Sequence, residues 1–146
     1  RKVKTMKKKT KKPLFDKRAP GGKMIFYGAI IIIIGACINA FASWSLVVGT
    51  FLGMAAVGDV LGETLNLCLQ VGLSLIVALD GINNRNRPSR GKRVMINAFC
   101  VMLIAVILLV RDASISSSII IAGLSIGGSA VMAFGGLKNH RVLTKK

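Results

Sequence analysis

The sequence predicts an all-α polytopic integral membrane protein, with about four transmembrane helices arranged as two hairpins. Hydrophobic residues make up 53% of the 146 positions, and the mean hydropathy is +0.63. Several apolar runs approach the roughly 20 residues that a helix needs to cross a bilayer. The basic residues lie almost entirely outside those runs. Lipid, rather than a soluble core, must therefore cover the apolar segments.

The net charge of +16 is concentrated in three patches. Eleven of the 21 Lys and Arg lie in residues 1–23, five in 83–93 and four in 138–146. Polybasic segments beside a membrane are attracted to anionic headgroups, at about 1 kcal/mol per charge. This distribution favours membrane lipids and other membrane subunits over nucleic acid as partners. The expected basic surface contacts are Lys7, Lys8, Lys9, Lys11, Lys12, Arg85, Arg87, Arg90, Lys92 and Arg93.

Residues 1–23 form the first predicted unit, a basic extended N-terminal arm. It carries like charges, only Asp16 opposes them, and Pro and Gly interrupt it. Such a segment does not fold alone, so we expect it to lie on the membrane surface or on a partner. Leu14 and Phe15 are either a docking anchor or incidental. The first residue is Arg1, so either an upstream part is omitted or a targeting peptide has been removed, as in an organellar protein.

Residues 24–137 form the predicted transmembrane domain, and its first span is 24–45. This run contains five consecutive isoleucines and no charge. Tyr27 and Trp44 lie near its two ends, about 25 Å apart at the rise of an α-helix. Aromatic residues favour the two headgroup boundaries of a bilayer, so the pair indicates where the span enters and leaves it.

Residues 46–82 are too long for one ordinary span and barely long enough for two. One interpretation places a short interfacial or re-entrant segment near 46–58, followed by a span near 61–82. The other makes two short spans that turn around residues 62–64, which would give five spans in total. Because Lys- and Arg-rich loops stay on one side, the arm and the basic loop 83–93 should share a face. An even number of crossings satisfies this rule, and we therefore expect two.

The second half contains two further predicted spans, 94–110 and 119–137. Arg111 and Asp112 end the first of them, and a Ser-rich turn follows. Two crossings return the basic C-terminal tail, 138–146, to the face of the central loop. Both termini and that loop are thus expected on the positive side of the membrane.

Acidic and amide side chains form the sharpest candidate site. Asp59, Glu63, Asn66 and Gln70 follow helical spacing, so on a helix they would make one polar stripe. Ionisable residues at membrane depth are costly and are candidates for a proton or cation site. The competing interpretation places Asp59 and Glu63 in a solvated loop on the far side, because no basic residue lies nearby to pair with them. The stripe could also ligate the magnesium of a pigment through oxygen.

Small residues form the second candidate feature. Close backbone approach stabilises helix pairs in a bilayer, where the hydrophobic drive between helices is missing. Gly-x-x-x-Gly spacing therefore predicts helix contacts, within the chain or with another subunit. The glycines expected to pack in this way are Gly49, Gly53, Gly58, Gly62, Gly123, Gly127 and Gly128.

Catalytic and metal-binding patterns find no support in the sequence. The one histidine is His140, in the basic tail, and Cys37, Cys68 and Cys100 are isolated within apolar runs, where we expect buried free thiols. No catalytic triad, HExxH or phosphate-binding loop occurs, so we do not expect an enzyme. Nothing indicates a metal or nucleotide cofactor, and bound lipid or pigment stays open.

The favoured function is a structural accessory or assembly subunit of a larger membrane complex. The small size, the glycine-rich helix faces and an arm that docks on neighbours or anionic lipid support it. The basic N-terminus suggests an organellar membrane, thylakoid or mitochondrial inner, with the basic face toward stroma, matrix or cytosol. The alternative is a small proton- or cation-coupled transporter or channel that uses Asp59 and Glu63. A weaker third hypothesis is a polybasic surface module that recruits an acidic protein or RNA.

Overall fold

The described part of the computed structural model, residues 13–53, 62, 65, 67–111 and 116–145, contains four α-helices with defined bounds. They are α1, Gly22–Phe51; α2, Leu73–Asn84; α3, Gly91–Arg111; and α4, Ser116–Thr144. A π-helical segment, Leu67–Gly72, leads directly into α2, and a 3-10 turn, Pro88–Arg90, leads into α3. The described residues contain no β-strand, and the prediction of an all-α protein is confirmed.

Three helical stretches are long and apolar enough to cross a membrane: Gly22–Ser45, Pro88–Val110 and Ile119–Thr144. They indicate an integral membrane protein, and they contain the predicted spans 24–45, 94–110 and 119–137. A further apolar helix, Cys68–Asn84, is shorter than a usual span. It overlaps the predicted span 61–82, so the arrangement of four spans in two hairpins stays a prediction.

The helices pack in the ring order α1, α2, α3, α4, with α4 also closing on α1. One apolar cluster fills the centre, and it includes Ile25, Ile32, Val94 and Met132, all fully buried. In the most apolar 18-residue stretch of α4, 50% is buried inside the bundle, whereas in the corresponding stretch of α3 only 22% is buried. The last helix is therefore the most enclosed, and the outer face of α3 is left for lipid or a partner.

Glycines spaced seven residues apart bring α1 and α4 into backbone contact. A Cβ built on Gly28 would lie 2.6 Å from the carbonyl oxygen of Gly128, and one on Gly135 would lie 2.8 Å from that of Gly21. Gly21 and Gly28 are two helical turns apart, as are Gly128 and Gly135, so each pair keeps to one helix face. The residue numbers rise on one helix as they fall on the other, which makes the two helices antiparallel.

Two further helix pairs, α3 with α4 and α1 with α2, meet through glycine at the end of the bundle where α1 begins. Gly91, at the start of α3, lies against Gly136 of α4, where an added Cβ would be 2.6 Å from the Gly136 carbonyl oxygen. Gly22 lies similarly against the carbonyl of Arg85, just after α2. One end of the bundle, which we call the basic end, therefore contains the start of α1, the end of α2, the start of α3 and the last part of α4.

Helix α1 continues beyond the predicted end of its span. Residues 46–51 belong to it, because they contain no proline or charge and Gly49 alone does not end a helix. The predicted interfacial or re-entrant segment near 46–58 lies partly outside the described residues and stays a prediction. The helix ends at Phe51, and Gly53, two residues later, has a φ of +73°, the left-handed conformation that follows many helices. Residues 138–144 of the predicted basic tail likewise continue α4, and Asn139 there is fully buried.

The cysteines are also placed differently from the expectation. Cys37, Cys68 and Cys100 are free, as expected, but all three are exposed on the outside of the helices and are not buried. Exposing a small apolar thiol to lipid costs little free energy. The position of each cysteine around its helix therefore decides its exposure, and its location in an apolar run of sequence does not.

Candidate functional site

Asn139 joins three parts of the chain at the basic end. Its Oδ1 accepts a hydrogen bond of 2.7 Å from the backbone N–H of Gly21, just before α1. Its Nδ2 donates to the backbone carbonyl of Arg85, just after α2, at 3.3 Å. An amide carries both a donor and an acceptor, so one side chain satisfies two backbone groups that the helices leave unpaired. Asn139 thereby ties α4 to both neighbouring chain ends.

Asp80 is the centre of a second polar network, between α2 and α3. Its carboxylate accepts hydrogen bonds from the Nδ2 atoms of Asn84, at 2.9 Å, and Asn97, at 3.2 Å. Arg93 forms an ion pair with it, Nη2 to Oδ1 at 3.2 Å. The sequence places Asp80 beside Asn83 and Arg85, but its charged partner is Arg93 of the next helix. The carboxylate is 18% exposed and bonds to all three of these partners, so it helps to hold α2 against α3.

Residues 13–21, which we call the strap, fold back on the loop between α2 and α3. Asn86 accepts a hydrogen bond from the backbone N–H of Asp16 and donates to the carbonyls of Pro13 and Leu14. Arg85 Nε also donates to the Leu14 carbonyl, at 3.0 Å. This part of the basic arm therefore docks on its own chain. Residues 1–12 lie outside the described residues.

Aromatic contacts hold the strap against the first turns of α1. Phe15 packs edge-on against Phe26 with ring centroids 5.6 Å apart, and the Arg85 guanidinium lies 5.6 Å from the Phe26 centroid on a cation–π contact. Of the two anchor candidates, Phe15 makes this contact, while the Leu14 side chain is 57% exposed. The strap leaves a cleft of about 450 Å³ lined by polar residues that include Asp16, Arg85, Asn86 and Arg87.

The expected basic surface divides into two groups at this end. Arg87, Arg90 and Lys92 are exposed, and Arg93 is exposed although it pairs with Asp80. Arg85 is half-buried, and its guanidinium donates hydrogen bonds to the strap and to the Ile82 carbonyl and lies over the Phe26 ring. The positions 7, 8, 9, 11 and 12 precede the described residues.

Only one member of the predicted polar stripe is described. Gln70 lies in the π-helical segment, is 8% exposed, and accepts a hydrogen bond of 2.8 Å from Asn39 of α1 through its Oε1. Asp59, Glu63 and Asn66 fall outside the described residues. The stripe as a site therefore stays a prediction, and the described part of it is a buried amide pair between two helices.

The predicted packing glycines have a mixed outcome. A Cβ on Gly128 would meet Gly28 and Ile32 at 2.9 Å, so Gly128 packs inside the bundle. A Cβ on Gly49, Gly53, Gly62, Gly123 or Gly127 would meet nothing within 4 Å in the described part of the chain, and Gly58 lies outside it. These five glycines do not join the described helices, and their contact with another subunit stays a prediction. Gly21 and Gly28, which pack against Gly135 and Gly128, were missed because these glycines recur every seven residues rather than every four.

Asn84, Asn86 and Asn139 were also missed as structural residues. The available signal was an amide beside each end of an apolar run, but the partners come from other helices and no local spacing reveals them. Within the described ranges, no group of three or more His, Cys, Asp and Glu side chains is positioned to hold a metal ion. Comparisons with protein-family models, with curated proteins and with solved structures find no match.

Proposed function

We propose that this protein is a non-enzymatic accessory or assembly subunit of a larger membrane complex. One observation carries the proposal: α4 presents Gly123 and Gly127, one turn apart, on an outer face that the described chain does not use. Glycine destabilises a helix by up to about 1 kcal/mol relative to alanine. A larger side chain at the same position would also make better contact with lipid. Close approach of a helix from another subunit would account for both positions.

The distribution of polar groups supports the same function. The polar side chains at the basic end form hydrogen bonds within the chain and stabilise the bundle there. They are Asp80, Asn84, Arg85, Asn97 and Asn139. Large apolar side chains, among them Phe41, Val110 and Ile76, are more than 60% exposed on the outside. Such a molecule offers packing surfaces and a positive end rather than a reaction site.

Native gel electrophoresis after mild solubilisation tests this proposal. The wild type should migrate with a large assembly, and Gly123→Leu/Gly127→Leu should migrate free of it while keeping its helix content by circular dichroism. Cys37→Leu/Cys100→Leu enlarges two exposed positions on other helices and should leave the assembly intact. A wild type that runs alone or only with copies of itself would rule the proposal out, as would a glycine double variant that stays in the assembly.

An organellar membrane, thylakoid or mitochondrial inner, is the setting we propose, with the basic end toward stroma, matrix or cytosol. The acid-poor, strongly basic segment 1–23 supports it. Cell fractionation with antibodies to the full-length protein would locate it, and recovery in the plasma membrane would contradict this setting.

A second candidate is a small proton- or cation-coupled transporter that uses Asp59 and Glu63. The buried Asn39–Gln70 pair favours it, because it places hydrogen-bonding groups between two apolar helices, in a π-helical segment of the kind that recurs at functional sites. Reconstituted wild type should then carry ions into proteoliposomes, and Glu63→Gln should abolish the flux without changing assembly. Absent wild-type flux, or flux unchanged in the variant, would remove this candidate.

The third candidate is recruitment of an acidic protein or RNA by the arm. Because residues 13–21 dock on the chain itself, the deletion that tests it is limited to residues 1–12. A truncated protein that keeps every partner of the full chain would exclude it.

A further inference from the structure

An apolar groove runs along the outside of the bundle between α3 and α4. It has a volume of about 290 Å³ and is lined only by apolar residues: Met95, Phe99, Met102, Ala130, Ala133, Phe134 and Leu137. Its lining combines two small alanines of α4 with longer Met, Phe and Leu side chains from both helices. Methionine side chains adapt to flexible apolar ligands, because they have several rotatable bonds and a polarisable sulfur. The groove can thus hold an acyl chain against the protein.

Three cations stand at the end of this groove that lies nearest the basic end. Lys92 precedes Met95 by three residues, Lys138 follows Phe134 by four and Arg141 follows Leu137 by four, so helical spacing places each on the groove side of its helix. Gly91 lies against Gly136 and the backbone N–H of His140, which puts the first turn of α3 level with residues 136–140. All three side chains are exposed.

These cations are not neutralised by acids within the described part of the chain. Its only ion pair is Arg93–Asp80, on the α2 side of α3. Cations at the edge of an apolar span attract anionic headgroups, and the groove supplies what a diffuse basic patch lacks, an apolar slot beside the charges. A ligand that fits both parts has a negative head and a long apolar tail.

We propose that the α3–α4 groove is a binding site for one anionic phospholipid. An acyl chain lies along Ala130, Ala133 and Phe99, and Lys92, Lys138 and Arg141 contact the headgroup phosphate. The site needs only that the chain lies in a bilayer, so it stands or falls independently of the accessory role. It binds the lipid specifically, whereas the remaining basic residues attract the headgroups of many lipids without a defined position.

Native mass spectrometry of the full chain in detergent tests the site with two lipids that share the same acyl chains, phosphatidylglycerol and phosphatidylcholine. The wild type should retain one phosphatidylglycerol in preference to phosphatidylcholine. Lys92→Gln/Lys138→Gln/Arg141→Gln should weaken that binding about a hundredfold, since each of the three cations near a headgroup contributes about 1 kcal/mol. The control Lys17→Gln/Arg18→Gln/Lys23→Gln removes the same charge from exposed positions elsewhere at the basic end and should leave binding unchanged.

A second pair of variants tests the groove itself. Ala130→Trp fills it and should abolish the bound lipid, whereas Cys37→Trp adds the same side chain to an exposed face of α1 and should not. Photoactivatable phosphatidylglycerol, labelled in its acyl chain, should crosslink to the peptides that contain Met95, Phe99 and Phe134. Equal loss of binding in both charge variants would mean diffuse attraction and would overturn the site. Equal retention of phosphatidylcholine, an unaffected Ala130→Trp variant, or co-purification of a partner helix in the groove instead of lipid would also overturn it.

Discussion

Asparagine side chains connect the separate segments of this protein at the level of single residues. Asn139 bonds the start of α1 and the end of α2, Asn86 bonds the strap, and Asn84 and Asn97 both bond Asp80. An amide donates and accepts at once without the desolvation cost of a charge, so it suits the boundary between an apolar bundle and water. The basic residues of the same region mostly stay on the surface.

Removal of the Asn139 amide should destabilise the bundle strongly. Asn139→Ala leaves the Gly21 N–H and the Arg85 carbonyl without their partner, and each buried unpaired group costs about 1–3 kcal/mol. We expect the free energy of unfolding to fall by about 2–3 kcal/mol. Denaturant titration in detergent micelles, followed by circular dichroism, measures it.

Ser129→Ala is the matched control for that variant. Ser129 is also fully buried on α4, and its hydroxyl has no hydrogen-bond partner in the described structure, so its removal should leave stability unchanged or slightly higher. If both variants lost a comparable free energy of unfolding, this face of α4 would tolerate no substitution, and the Asn139 hydrogen bonds would have no special role in stability.

The Asp80 network should depend on its amides more than on its ion pair. Arg93 is 60% exposed, so solvent screens the pair and Arg93→Gln should cost at most about 1 kcal/mol. Asp80→Ala should cost about 2 kcal/mol, because Asn97 and Arg93 lose their partner and Asn84 keeps only the backbone carbonyl of residue 80 as an acceptor. Urea or detergent unfolding compares the two, with Arg90→Gln as the exposed control. A larger effect at Arg93 than at Asp80 would contradict this order.

Glycine spacing decides how the helices meet at the level of whole elements. Gly-x-x-x-Gly spacing predicted contacts at Gly123 and Gly127, but the described helices meet at glycines seven residues apart. Side chains seven residues apart keep to one face of a helix over many turns, which suits long antiparallel helices. Four-residue spacing suits a short close crossing and remains available for another subunit.

Gly28→Ala and Gly123→Ala should therefore differ in sign. The new Cβ at position 28 would lie 2.6 Å from the Gly128 carbonyl oxygen and the Met132 backbone nitrogen, so α1 and α4 must separate. We expect a loss of about 1–3 kcal/mol, as for other overpacked cores. The Cβ at position 123 meets nothing within the described chain, so stability should be unchanged or slightly higher. Thermal unfolding in detergent distinguishes them, and equal losses would refute the role of the seven-residue spacing.

The ends of the chain segments define the topology of the whole molecule. The strap, the loop that joins α2 and α3, and residues 136–140 of α4 all meet at the basic end. Tyr27 and Trp44 are both exposed on α1, as side chains that mark the headgroup regions must be. This arrangement agrees with the rule that places basic loops on one side of a membrane.

Thiol labelling should place the basic segments on a single face. In a background with Cys37, Cys68 and Cys100 replaced by alanine, single cysteines at Lys17, Ser89 and Lys145 should react with a membrane-impermeant reagent from the same side. All three positions are exposed. A cysteine at position 89 that reacts only from the side opposite position 17 would show an odd number of crossings and would contradict the four-span prediction.

The same background locates the two acids that the transporter hypothesis needs. Cysteines at positions 59 and 63 should react from the face opposite the basic end, as expected of a loop between two crossings. Protection from both faces would instead place Asp59 and Glu63 in the membrane or an interface, and ion transport would become the leading function.

The sequence by itself determined the class of protein, three of its spans and the clustering of its charges. Those features depend on hydropathy over about 20 residues and on the cost of charge in lipid, and both can be read along the chain. Only the tertiary structure decided that Asn139 joins α1 to α2, that Arg93 rather than Arg85 pairs with Asp80, and which glycines pack. Each of these contacts joins residues far apart in sequence, and their partners are set by the antiparallel alignment of whole helices, which no local pattern contains.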